Sequence, residues 1–238
     1  MTHWSSRPRN GLRSWYETGE DGRVLREAVF DRALEVPRPD LRHASDDGTA
    51  GGATVAASHA ELTSVRDRFG PLGVQLYEAV YGVMTDGPHD MSHEPVTAER
   101  FEQAWRTARS HRHFTRYDSG PLPEGARVTG TVSALPWGPG RTGLFVDMDL
   151  LAVPAPVDTD LRPLPASADT DLCPVPAFVD LAWLPRDPDA WPAVGDTGAF
   201  EVTTIRFTLR PDYTGLQVRL RPEGARPLGG PSPRPGRP

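Results

Sequence analysis

The chain of 238 residues carries a net charge of −6 and contains 26 arginines but no lysine. The absence of amine side chains excludes a Walker-type phosphate lysine, a Schiff-base lysine and a Ser-Lys catalytic pair. A single cysteine excludes an intramolecular disulfide framework, and no apolar run approaches transmembrane length. We therefore expect a cytoplasmic protein without a membrane partner, with room for two small domains.

The N-terminal region is predicted to contain a β-hairpin. Residues 1–10 are polar and are interpreted as a lead-in. Ser14–Thr18 and Arg23–Phe30 flank an Asp-Gly turn signal and are predicted to pair as antiparallel strands. Residues 37–57 are predicted to be loop. Their glycine cluster lacks a following Gly-Lys-Ser/Thr, which favours a flexible linker over a phosphate cradle.

Two short helices are predicted after this loop. Ser58 and Glu61 have the spacing of a capping box, which begins a helix that ends at the Gly-Pro pair after Phe69. The second helix ends at Gly82. Its apolar face comprises Leu72, Leu76, Ala79 and Val80. Residues 11–83 are thus predicted to form a small α+β domain of unknown function, which loosely resembles small uncharacterised domains of GC-rich bacteria.

A connecting helix is predicted over residues 97–118. Thr97 is the predicted cap, and the helix continues to about His111. Its buried stripe is predicted to be Phe101, Ala104, Trp105 and Ala108. Four arginines, among them Arg112 and Arg116, alternate with aromatic residues towards the end of this segment. The pattern has two interpretations: an extension of a nucleic-acid groove, or a solvated helix end whose dipole favours cations.

Five strand-like segments follow between residues 122 and 222. In order they are GARVTGTVSAL, GLFVDM, AFVDLAWL, VGDTGAFEVTTI and LQVRLRP. Their order and spacing resemble the S1 domain, a five-stranded barrel of the OB type known for binding RNA. The resemblance implies an OB/S1-like barrel over residues 122–222. Together with the small N-terminal hairpin-plus-helices unit, it predicts the α+β fold class.

An 11-residue repeat interrupts this predicted barrel between its second and third strands. FVDMDLLAVPA, PVDTDLRPLPA and SADTDLCPVPA are successive units, and their prolines forbid a helix. We interpret residues 150–177 as a loop enlarged by tandem duplication. Its Asp-x-Asp pairs are not followed by an EF-hand-like glycine or closing glutamate, so no metal is predicted. The Pro/Gly/Arg-rich segment 223–238 is predicted to be a disordered tail.

The S1 resemblance implies a site for single-stranded nucleic acid, with RNA as the favoured ligand and DNA as the alternative. Trp137 and Phe145 fall where S1 domains place their stacking aromatics. Arg206, Arg219 and Arg221 lie on or beside the last two strands, where arginines contact phosphates.

The charge balance supports an alternative. Residues 121–222 carry thirteen acids against eight arginines, and Asp180 stands where the S1 family usually has a histidine. Trp137 and Phe145 are equally compatible with core or partner-facing positions. The alternative is a protein–protein interaction module, such as an adaptor or an immunity-type protein, whose acidic loop binds a basic partner.

Motifs for catalysis are missing from the sequence. It contains no Gly-x-Ser-x-Gly, His-Glu-x-x-His or paired Cys-x-x-Cys motif. His89 and His93 lie in a Gly/Pro loop, and Cys173 lies in a duplicated unit. We therefore predict a non-catalytic binding protein without a cofactor.

Overall fold

The computed structural model describes residues 1–6, 9–41, 49–85, 93–136, 142–148 and 175–225. The chain divides into two compact units, the first containing Met1–Gly120 and the second containing most of the chain from Pro121 onward. The described residues form two α-helices and two five-stranded sheets, one of which closes into a ring. The predicted α+β class is confirmed. None of the described helices is both long enough and apolar enough to cross a lipid bilayer.

The first unit contains an antiparallel sheet with the strand order β4-β3-β2-β1-β5. Its strands are β1 (Thr2–Ser6), β2 (Leu12–Thr18), β3 (Val24–Asp31), β4 (Gly52–Ser58) and β5 (His93–Pro95). The predicted hairpin is confirmed, because β2 pairs with β3 across the Asp-Gly turn.

Two of these strands correct the interpretation of the sequence. β1 lies in the segment predicted to be a lead-in, and β4 lies within the predicted loop 37–57. β4 is rich in alanine and glycine, which have little intrinsic preference for strands. Its pairing with β3 and the complete burial of Ala56 and Ala57 make it a strand. Tertiary packing therefore overrides local propensity here.

The first helix, α1 (His59–Tyr81), is interrupted where the sequence predicts a boundary between two helices. Gly70 has a φ of 63° and a ψ of −157°, so the backbone leaves the helical conformation immediately before Pro71. The helix ends at Gly82, also as predicted. On the predicted apolar face Leu76 and Val80 are buried, and Leu72 and Ala79 are half-buried.

The predicted capping box at the start of α1 is wrong. The Ser58 side chain makes no capping hydrogen bond. Instead, the Ser58 backbone N–H donates to the Tyr77 hydroxyl at 2.8 Å, and that hydroxyl donates to Glu61 Oε2 at 2.7 Å. Arg109 also donates to Glu61 Oε2, at 2.9 Å. A tyrosine thus serves the N–H that the capping-box pattern assigns to Glu61.

The second helix, α2 (Ala98–Phe114), packs its predicted stripe into the core of the first unit. The Thr97 side chain accepts a hydrogen bond from the Arg100 N–H at 3.4 Å, which confirms the predicted cap. The buried cluster contains Trp15, Ala28, Phe30, Ala53, Ala56, Phe101, Ala104, Trp105 and Ala108. Although the sequence predicts a connecting helix over 97–118, α2 belongs to the first unit.

The second unit is a ring of five strands in the order β10-β8-β7-β6-β9. These strands are β6 (Arg127–Ala134), β7 (Gly143–Met148), β8 (Ala177–Asp180), β9 (Thr197–Arg210) and β10 (Tyr213–Pro222). β8 runs parallel to β10, whereas the pairs β6–β7, β6–β9 and β7–β8 are antiparallel. Each of the five predicted segments overlaps one of these strands, and β9 and β10 extend beyond their predicted segments.

Alternate residues of the ring face inward and form its core. Val132, Leu144, Val146, Val179, Val218 and Leu220 are all almost fully buried. Gly130 lets β6 approach β7 closely, because a Cβ at this position would lie 2.4 Å from Cγ1 of Val146. A side chain at position 130 would therefore overlap Val146, which explains why β6 has glycine there.

Two short 3-10 helices, Leu181–Trp183 and Pro188–Ala190, connect β8 to β9. Residues 150–174 of the predicted loop 150–177 and residues 226–238 of the predicted tail 223–238 lie outside the described residues.

Candidate functional site

Phe145, Phe178 and Arg219 form a row across three strands of the ring. Phe145 of β7 pairs in register with Phe178 of β8, which pairs in register with Arg219 of β10. The two phenyl rings meet edge to face with centroids 5.1 Å apart, and Arg219 Cζ lies 4.6 Å from the Phe178 ring centroid. Their neighbours along each strand are buried in the ring, so the row occupies the outward side.

The two aromatic rings differ in how much surface they offer. Phe145 is half-buried, whereas Phe178 is only 8% exposed. Arg219 lies over the Phe178 ring, and the backbone of Gly143 approaches it from β7. A Cβ at Gly143 would lie 2.7 Å from Phe178 Cζ and 2.0 Å from the Val179 carbonyl oxygen. Phe145 is therefore the more accessible stacking surface of the two.

Arg219 is incompletely neutralised. Its Nη1 lies 3.5 Å from Asp180 Oδ2, and its buried Nε has no acceptor among the described residues. Burial lowers the pKa of Arg219, the charge of Arg206 lowers it further, and Asp180 acts in the opposite direction. Arg206 and Arg219 repel one another, and Asp180 is the one carboxylate that acts on Arg219 against this repulsion. The excess positive charge favours the binding of an anion.

The remaining predicted arginines of the second unit differ in their contacts. Arg221 forms an ion pair with Glu201 and lies over the Trp183 ring, with Cζ 5.4 Å from the centroid. Arg206 is exposed on β9 and makes no ion pair within the part of the chain that the structure describes. Trp137, the other predicted stacking residue, lies outside the described residues.

The structure places Arg112 and Arg116 in the first unit. Arg112 donates from Nε to the Val80 carbonyl at 2.8 Å and from Nη2 to the Ala79 carbonyl at 3.0 Å. Burial lowers the pKa of Arg112. Its guanidinium therefore caps the C-terminal end of α1, while Arg116 is exposed just after α2.

Sequence reasoning did not identify Phe178 as a site residue. The alternation Ala177-Phe178-Val179-Asp180 places Phe178 and Asp180 on the side opposite to Ala177 and Val179. That pattern was the available signal. The pairing of Phe178 with both Phe145 and Arg219 depends on strand order, which the pattern alone does not supply.

The described residues offer little to a metal ion. Within the ranges that the structure describes, no group of three or more His, Cys, Asp or Glu side chains is arranged to hold one. The Asp-x-Asp pairs of the duplicated units and Cys173 lie outside those ranges.

No protein-family model and no curated protein sequence matches this chain.

Proposed function

We propose that the second unit is an OB-type, S1-like barrel that binds single-stranded nucleic acid, RNA above all, without catalysis. The strand order and the parallel pairing of β8 with β10 support the OB assignment. In such barrels the second and third strands carry the ligand-binding face. The equivalent strands here are β7 and β8, which carry Phe145 and Phe178.

The observation that carries this proposal is the row of Phe145, Phe178 and Arg219. Proteins that bind single strands combine aromatic side chains, on which bases stack, with basic side chains that contact the phosphates. Phe145 supplies an accessible ring, and Arg219 supplies a cation one strand beyond Phe178. Arg206 adds a second cation close enough to affect Arg219.

Binding of a labelled, mixed-sequence single-stranded RNA to the full chain, followed by fluorescence anisotropy across a salt series, tests this function. We expect affinity to fall as salt rises, because phosphate contacts release counterions. Phe145→Leu keeps the apolar volume but removes the stacking surface, which is worth about 1–3 kcal/mol per base. Arg206→Gln should weaken binding and reduce the salt dependence.

Arg127→Gln is the matched control for Arg206→Gln. Arg127 is an exposed arginine of β6 that pairs in register with Glu201 rather than with Arg206 of β9, and the β6 residue opposite Phe145 is Ala134 at the other end of the strand. The Arg127→Gln variant should bind RNA with the same affinity as the unaltered chain. Absence of salt-sensitive binding at low ionic strength, or equal losses in the Arg127 and Arg206 variants, would refute the proposed site.

The second candidate function is binding to a basic protein, and the mixed charge of the same face favours it. Arg219 and Arg221 each contact a carboxylate, and Asp147 is exposed on the outward side of β7. Capture of a basic protein by the immobilised chain, weakened by Asp147→Asn and by salt, would support this alternative. Salt-dependent RNA binding that Phe145→Leu weakens would decide against it.

A further inference from the structure

Asp180 holds a carboxylate beside the arginine that the proposed site uses for phosphate. Its Oδ2 lies 3.5 Å from Arg219 Nη1. Its Oδ1 accepts a hydrogen bond from the Ala182 N–H at 3.1 Å, as the cap of the 3-10 helix that follows β8. The cap fixes the orientation of the side chain, so the second oxygen stays directed towards Arg219.

The contact between Asp180 and Arg219 is loose. Charge-assisted N–H···O hydrogen bonds are usually about 2.7–2.9 Å long, which is well below the distance found here. The Asp180 side chain is 53% exposed, and exposed ion pairs of this kind contribute little to stability. Since Arg219 Nε also has no acceptor among the described residues, the guanidinium keeps hydrogen-bonding capacity for a second anion.

We infer that Asp180 sets the affinity of this face for phosphate-bearing ligands, by competing with a ligand phosphate for Arg219. The inference rests on the proposed nucleic-acid function, and it makes Asp180 the residue that limits the affinity for nucleic acid. Asp180 is not a ligand-contacting residue in this scheme. It acts through Arg219, and a bound phosphate takes over Arg219 while the Asp180 cap to Ala182 remains.

Asp180→Asn removes the charge but retains an oxygen that can cap the 3-10 helix. With a labelled, mixed-sequence single-stranded RNA as the probe, we expect the variant to bind about threefold to tenfold more tightly at low salt, and less so at high salt. The slope of log K against log salt should become steeper by up to about 0.7, the value of one additional phosphate contact on a single strand.

Asp187→Asn is the matched control. Asp187 is an exposed aspartate of the same unit, and its Oδ1 caps the next 3-10 helix by accepting from the Asp189 N–H at 3.1 Å. It makes no ion pair with an arginine among the described residues. Asp187→Asn changes the net charge and a helix cap in the same way as Asp180→Asn. Because Asp187 does not contact an arginine of the proposed site, the affinity of this variant for the RNA should stay unchanged.

The role of Arg219 is tested by combining substitutions. If Asp180 acts through Arg219, the gain from Asp180→Asn should shrink when Arg219→Gln is also present. Thermal unfolding of each variant separates lost binding from lost folding. A gain of equal size in the Asp187 and Asp180 variants, or a gain unaffected by Arg219→Gln, overturns the inference.

Failure of the inference and failure of the proposed function give different results. If the unaltered chain binds RNA with salt dependence but Asp180→Asn binds equally or more weakly, the inference is overturned and the proposed function stands. If the unaltered chain shows no salt-sensitive binding at low ionic strength, the proposed function itself is overturned, whether or not Asp180→Asn binds.

Discussion

Arg112 Nε lies 2.8 Å from the carbonyl oxygen of Val80, so an arginine of α2 caps the C-terminal end of α1. The α1 carbonyls near that end have no intrahelical partner, and a cation is favoured there by the helix dipole. The relationship gives Arg112 a structural role within the first unit.

We accordingly expect Arg112→Gln to destabilise the protein by about 1–3 kcal/mol, because hydrogen bonds from a charged donor are lost at partly buried carbonyls. Its affinity for RNA should not change. Arg100→Gln, at an exposed position of α2, should alter the free energy of unfolding by less than about 0.5 kcal/mol. Urea unfolding and the anisotropy assay measure the two effects separately. An Arg112 variant with full stability and weakened RNA binding would contradict this assignment.

Tyr77→Phe should also destabilise the first unit. Burial raises the pKa of the Tyr77 hydroxyl, which therefore stays protonated and donates to Glu61 while it accepts from the Ser58 N–H. Removing it leaves two polar groups without this partner, at a cost of about 1–3 kcal/mol. Tyr213→Phe, at a half-exposed tyrosine, is the control and should be nearly neutral. Equal unfolding midpoints for the two variants would show that the hydroxyl has no such role.

Glu17 should make the stability of the first unit depend on pH. Burial raises the pKa of Glu17, but hydrogen bonds and the charge of Arg26, with a smaller contribution from His3, outweigh this and hold the pKa below its usual value. A lowered folded-state pKa contributes stability above the unfolded-state value, and this stability is lost as the pH falls through the folded-state pKa.

The difference in unfolding free energy between the unaltered chain and Glu17→Gln should therefore be largest near neutral pH and should shrink as the solution becomes acidic. Glu20→Gln, at an exposed position in the turn between β2 and β3, controls for loss of a carboxylate. Urea unfolding over a pH series measures both. A difference for Glu17→Gln that stays constant down to strongly acidic pH would rule out this linkage.

Gly143→Ala should disrupt the second unit and with it the proposed binding face. The new Cβ would meet the Val179 carbonyl oxygen at 2.0 Å, and the φ of 142° at this residue is one that other residues rarely adopt. We expect destabilisation of about 2–5 kcal/mol from steric overlap and backbone strain. At Gly198 the nearest atoms to a new Cβ are 3.5 Å away, so Gly198→Ala should cost about 1 kcal/mol or less. Similar unfolding curves for both variants would contradict this account.

The sequence predicts those elements of the fold that local pattern determines. β2 and β3 flank an Asp-Gly turn, β6 alternates between buried and more exposed residues, and α2 has a regular apolar stripe. β1 and β4 escape such reasoning, because their small or polar residues become strand only by pairing with β2 and β3. The capping box predicted from the Ser58–Glu61 spacing is wrong for a related reason. Tyr77, from a later turn of α1, binds both the Ser58 N–H and the Glu61 carboxylate.

The candidate site is predictable to a similar degree. Phe145 and Arg219 stand out from their residue types and their strands, but Phe178 and its contact with Arg219 require knowledge that β8 lies between β7 and β10. Arg112 was grouped with nucleic-acid contacts because a basic, aromatic-rich segment has the same composition whether its arginines face phosphates or backbone carbonyls. Only the position of the α1 C-terminal carbonyls separates the two.

The parallel pairing of β8 with β10 has a consequence for how the second unit folds. β8 cannot complete its hydrogen bonding with a neighbour that is close in sequence, because its partner begins only at Tyr213. The ring therefore closes late, after β9 and the connecting 3-10 helices have been synthesised. Contacts between such distant segments slow folding. Until β10 pairs with β8, one edge of β8 is unpaired, and the Phe178 ring is not yet covered by the Arg219 guanidinium.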